Sequence, residues 1–159
     1  MILTRFSGVL AGSILGIALV TAGCSGGGGS TPTTPSGSTS TTTASVNGSW
    51  SGTASDSSGP GQMTWALTQS GASFSGTLTL TDTGSGTAAT GTVSGSVSGN
   101  SVSFTLAVPA GGAGGSFSSC TANMTGTATV SGTSLSGSYS GTNSCTGAVS
   151  SGTVSLSKQ

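Results

Sequence analysis

Val102-Ser103-Phe104-Thr105-Leu106-Ala107-Val108 places an apolar side chain at every second position, with a hydroxyl or a methyl group between. Successive side chains of a strand point to opposite faces, so this segment reads as a strand with one dry face and one wet face. The pattern extends both ways along the chain. Before it stand Trp50-x-Gly52-x-Ala54, Met63-x-Trp65-x-Leu67, Phe74-x-Gly76-x-Leu78-x-Leu80 and Gly91-x-Val93-x-Gly95-x-Val97. After it come Met124-x-Gly126-x-Ala128-x-Val130, Leu135-x-Gly137-x-Tyr139-x-Gly141 and Val154-x-Leu156. No helical period competes, and Ser and Thr fill the other face, where β-branched Thr suits a solvated sheet.

The connections give the topology. Ser70-Gly71-Ala72-Ser73, Ser98-Gly99-Asn100-Ser101 and Ser131-Gly132-Thr133-Ser134 are near-copies set between alternating segments. Glycine first in a two-residue link suits a type II′ hairpin. The remaining links, Asp56–Gly61, Asp82–Ala89, Pro109–Ser119 and Asn143–Gly147, read as longer. Tight and long links then alternate, which predicts an all-β, antiparallel up-and-down meander of about eight strands with its tight turns at one end. One apolar face stays wet unless the sheet closes, so a small barrel is expected, its interior holding side chains or one small ligand.

The inward register also carries Gly52, Gly76, Gly91, Gly95, Gly126, Gly137 and Gly141. Glycine weakens a strand, so its recurrence implies either close strand approach around a few large rings or an internal cavity. Met63, Trp65, Phe74, Phe104, Met124 and Tyr139 share that register as packed core or as cavity wall. If a cavity exists, Tyr139 and Gln69 are its polar fixing points, since buried hydroxyl and amide groups need partners.

Ahead of the barrel, Met1–Arg5 is a short positive segment, and Val9–Val20 is an apolar run of signal-peptide length. It ends in Thr21-Ala22-Gly23-Cys24, which resembles the bacterial lipobox, with Thr21 standing where Leu is usual. The resemblance implies that residues 1–23 are a cleaved signal and that Cys24 is the acylated N-terminus, held in the membrane by its palmitate-type chains. Ser25 follows Cys24 where Asp would retain a lipoprotein in the inner membrane, so the resemblance favours the outer membrane of the cell envelope. Residues 24–45 are rich in Gly, Ser, Thr and Pro, a flexible tether spanning about 25 Å on average. Residues 46–159 are the barrel domain.

Gly48-Ser49-Trp50 opens the first strand at the tight-turn end. This resembles the first strand of the calycin barrels, the lipocalins and avidins, over roughly residues 46–159. In that superfamily the Trp closes the barrel floor and a basic residue from the last strand packs over it. The resemblance gives Trp50 and Lys158 those places, with a cation–π contact of about 1 kcal/mol. The lipocalin motifs of later strands and avidin's biotin contacts have no counterpart, so the resemblance carries a fold and no ligand identity.

Chemistry is scarce. The ionisable side chains, besides one tyrosine and the cysteines, are Arg5, Asp56, Asp82 and Lys158, and histidine is absent. General acid–base and serine-nucleophile catalysis both need a base that this composition lacks, so no enzyme is expected. Asp56 and Asp82 sit beside Ser and Gly as turn formers. No cofactor or metal is expected, and a neutral chain without basic clusters excludes nucleic acid as a partner. Cys120 and Cys145 form an even pair in an exported, oxidising setting and fall at the long-loop end, which predicts a disulfide.

Two functions remain open. One is a monomeric, lipid-anchored module binding a small apolar ligand; the other is a structural or surface-interaction domain with a solid core. A small barrel spanning the outer membrane also predicts alternating links, but it lacks aromatic girdles and an aromatic C-terminus here.

Overall fold

The computed structural model describes residues 42–159. The signal segment, Cys24 and most of the tether lie outside the described residues. Eight strands follow one another: β1 (Gly48–Asp56), β2 (Gly59–Ser70), β3 (Ser73–Asp82), β4 (Ala88–Ser98), β5 (Ser101–Val108), β6 (Ala122–Ser131), β7 (Ser134–Asn143) and β8 (Gly147–Lys158). Each pairs antiparallel with the next, and β8 returns to β1, closing an up-and-down barrel with no free edge.

The three Ser-Gly-x-Ser links are tight turns. Gly71, Gly99 and Gly132 sit at φ 58°, 57° and 59°, while the residue after each keeps a negative φ, as a type II′ hairpin requires. The link between β1 and β2 differs from the sequence expectation of a long loop over Asp56–Gly61: only Ser57 and Ser58 separate the strands. The Ser58 amide donates to Asp56 Oδ1 at 2.7 Å, closing an Asx turn, and Gly59 takes a φ of 127°. Pro60 is tolerated because it lies at the start of its strand. Strict alternation of tight and long links therefore fails at the first connection, while the other three links at that end are longer.

Inward glycines are close-approach positions, not voids. Phe74, Gly95, Phe104, Gly126, Tyr139 and Gly152 stand side by side in one row across β3 to β8. Each ring lies over the glycine on the next strand: a Cβ on Gly95 would come within 2.7 Å of Phe74 Cζ, and one on Gly152 within 2.6 Å of Tyr139 Cδ2. Elsewhere the obstacle is backbone, the Ser155 carbonyl at Gly52 and the Ala66 carbonyl at Gly76. This is how strongly coiled strands accommodate large rings in a narrow barrel. Gly126→Ala is accordingly expected to cost about 2 kcal/mol by overpacking. Gly132→Ala meets open space and pays only for its left-handed φ, about 1 kcal/mol. Urea denaturation of both variants checks the difference.

The tight-turn end is sealed by chain preceding β1. Trp50 is fully buried, its indole N–H donates to the Val46 carbonyl at 2.8 Å, and Lys158 Nζ lies 5.7 Å from the centre of its ring. Gln69 binds that incoming segment: its Oε1 accepts from the Val46 amide at 2.6 Å, and its Nε2 donates to the carbonyls of Ala44 at 3.1 Å and Gly71 at 2.9 Å. The Ala44 amide adds a bond to the Gly99 carbonyl at 2.8 Å. Val46, Trp50, Trp65, Val97, Val102, Val130, Leu135 and Leu156 fill the interior above this seal.

Candidate functional site: a cavity at the long-loop end

The opposite end of the barrel is not filled. Ala89, Ala122 and Ala148 put only methyl groups into this end, and β1 and β2 meet there in a two-residue turn. A cavity of about 730 Å³ results, walled by Met63, Leu78, Leu80, Leu106, Val108, Met124 and Val149. Its rim carries Asp56, Asp82, Tyr139, Asn143, Phe117 and Cys120. An apolar hollow with a few convergent polar groups is the usual form of a small-molecule site.

Of the residues that share the inward register, Met63, Met124 and Tyr139 line this cavity. Trp65, Phe74 and Phe104 do not; they belong to the packed core, with Trp65 edge-on to Phe104 at 5.2 Å between ring centres. The Trp65 indole N–H is buried without a hydrogen-bond partner. Gln69 does not reach the cavity, because its amide is committed to the seal at the other end. Lys158 and Trp50 meet there too. Alternation alone does not mark Leu80, Leu106, Val108 and Asp56 as wall residues. Their signal is positional: each is at, or close to, the loop-side end of its strand.

The rim is held by bonds. The β5–β6 connection, 109–121, contains a short 3₁₀ turn at Gly115–Phe117 and leans on β4: the Thr90 amide donates to the Gly112 carbonyl at 2.6 Å, and the Gly114 amide to the Ala88 carbonyl at 3.0 Å. Its far end is tied to the β7–β8 turn by the Cys120–Cys145 disulfide, with Cα atoms 5.6 Å apart. Reciprocal bonds between Thr121 and Ser144, at 2.9 and 2.8 Å, flank it. Cys120 thus lies just before β6 and not within it. Phe117, 42% exposed beside the opening, is the one large apolar side chain exposed among the described residues.

Two carboxylates mark the same rim. Asp82 Oδ1 accepts from the Ser85 amide at 2.6 Å and from the Ser85 hydroxyl at 2.8 Å. These bonds, the amide first, hold the Asp82 carboxyl below its ordinary range. The buried Tyr139 hydroxyl donates to Asp56 Oδ2 at 2.8 Å. Burial, and then that bond, push the phenol well above its ordinary value of about 10. A raised phenol means that folding favours the neutral ring, so this contribution is complete below pH 10 and is lost as pH rises beyond it. Tyr139 is the only tyrosine. Phenolate absorbance should therefore stay absent at pH 10.5 in the folded protein and appear at that pH once urea unfolds it.

A second concavity, about 760 Å³, lies on the outer face over β4 to β8. It is an open trough between rows of hydroxyls such as Ser96, Ser103, Thr127 and Ser138, without an enclosing apolar wall. Among the described residues, no three His, Cys, Asp or Glu side chains converge to hold a metal ion.

Fold and site together define an eight-stranded antiparallel up-and-down barrel with an apolar hollow at its loop end. No protein-family model matches the chain, and no curated protein or solved structure matches it significantly.

Proposed function

We propose that this chain is a non-catalytic, lipid-anchored envelope lipoprotein whose calycin-like barrel binds a small, mostly apolar ligand. The observation that carries the reading is the 730 Å³ hollow with its aliphatic wall. Gly48-Ser49-Trp50 and the Lys158 cation over the Trp50 ring support the calycin likeness. Thr21-Ala22-Gly23-Cys24 supports the anchor, and β1 begins at the end opposite the cavity.

Binding is tested with N-phenyl-1-naphthylamine, a neutral probe whose emission rises and shifts to the blue in apolar surroundings. Saturable 1:1 uptake is expected, and Met124→Trp, which fills the hollow, should weaken it about tenfold or more. No uptake by the folded protein would instead favour a structural or surface-interaction domain. The anchor has its own test: the N-terminal peptide should carry acyl chains on Cys24, and Cys24→Ala should abolish them. An unmodified Cys24 in the membrane fraction would sink the anchor.

A further inference from the structure

Composition makes the charges at the cavity conspicuous. Asp56 and Asp82 are the only acidic side chains of the whole chain, and both stand at one rim. They end β1 and β3 on either side of Gly59, which pairs with Asp56 and whose Cβ position is 3.9 Å from Asp82 Oδ2. No Lys or Arg among the described residues lies at this end; Lys158 sits over Trp50 at the other. Asp56 is also oriented, with one oxygen taking the Ser58 amide and the other the hydroxyl of Tyr139, itself buried in the cavity wall.

From this arrangement we infer that the cavity selects ligands joining an apolar body to a cationic end, an amine or a quaternary ammonium, over neutral or anionic ligands of the same shape. The inference rests on the binding function proposed above and names its ligand class. The apolar part is desolvated against Met63, Leu78, Leu106 and Met124, as any hydrophobic ligand would be. The polar end then lies at the rim, in a mouth where low-dielectric walls focus the field of two uncompensated negative charges. A cation there replaces lost hydration with carboxylate contact, whereas a ligand carboxylate meets like charge and no donor cation.

The test compares 4-phenylbutylamine, 4-phenylbutanol and 4-phenylbutanoate, which share one apolar body. Each is titrated into the full chain in lipid nanodiscs, with the ¹³C-methyl signals of Met63 and Met124, which line the cavity, as the readout. At low salt the amine should bind about tenfold tighter than the alcohol, with the carboxylate weakest. Added salt should narrow the spread. Asp56→Asn with Asp82→Asn should bring all three affinities within about twofold, with an unchanged circular dichroism spectrum showing that the variant is folded. If the alcohol and the carboxylate bind as tightly as the amine, the cationic preference is overturned while the cavity reading stands. Saturation by none of the three overturns both.

Discussion

Trp50→Ala should remove about 4 kcal/mol of stability, as large-to-small changes of a fully buried indole do. Against a total of about 5–15 kcal/mol for a domain, that loss leaves a marginal fold. Three connections fail together. The ring fills the sealed end at the register level of Trp65 and Lys158, its cross-strand partners on β2 and β8. Its N–H no longer holds the Val46 carbonyl, and Lys158 loses the face it covers. β1 and β8 meet here to close the barrel, so damage at Trp50 also loosens the closure. Trp50→Phe keeps most of the bulk and is expected to cost about 1–2 kcal/mol, chiefly the unpaired Val46 carbonyl. Chemical denaturation of the two variants separates volume from hydrogen bond; near-equal losses would deny the indole its role in the seal.

Loss of the disulfide is the second large effect. Cys120 and Cys145 are 25 residues apart, and opening that loop should cost about 3 kcal/mol in the chain-entropy account. A paired Cys120→Ser, Cys145→Ser variant measures it. The place of the damage matters more than its size. The bridge joins the β5–β6 connection to the β7–β8 turn at the rim, far from the Trp50 seal. Hydrogen exchange should therefore accelerate in 109–121 and 143–147 while β1 and β2 keep their protection near the sealed end. Uniform acceleration would mean that the bridge stabilises the whole barrel and not its mouth.

Much of this fold is legible because each strand has one buried and one solvated face. Val102-x-Phe104-x-Leu106 and its counterparts carry period two in plain form, and repeated Ser-Gly-x-Ser locates three hairpins. Asp56-Ser57-Ser58-Gly59-Pro60 misleads for a physical reason: turn residues announce a reversal without its length, and the Asp56 carboxylate closes it in two residues. The site is less legible than the barrel. Alternation says which side chains face inward but not how high each stands along the axis, because strand stagger is set by pairing between strands. Met63 and Met124 therefore look no different in sequence from Trp65 and Phe104, although the first two wall the cavity and the last two pack beneath it. Gln69 shows the same limit. Its partner Val46 lies 23 residues away, and only the folded end reveals that its amide binds backbone there. The Cys120–Cys145 bridge is legible because both cysteines fall in links at the same end of the meander.

Methyl NMR gives the most direct test of the central claim, a barrel whose loop end holds an apolar ligand. The chain has three methionines, Met1, Met63 and Met124, and the last two line the cavity. With ¹³C-methyl methionine, a titration with 4-phenylbutanol should move both barrel signals together and saturate at one ligand per chain. Two methyl signals that stay fixed across the titration would contradict the account and leave a solid barrel in its place.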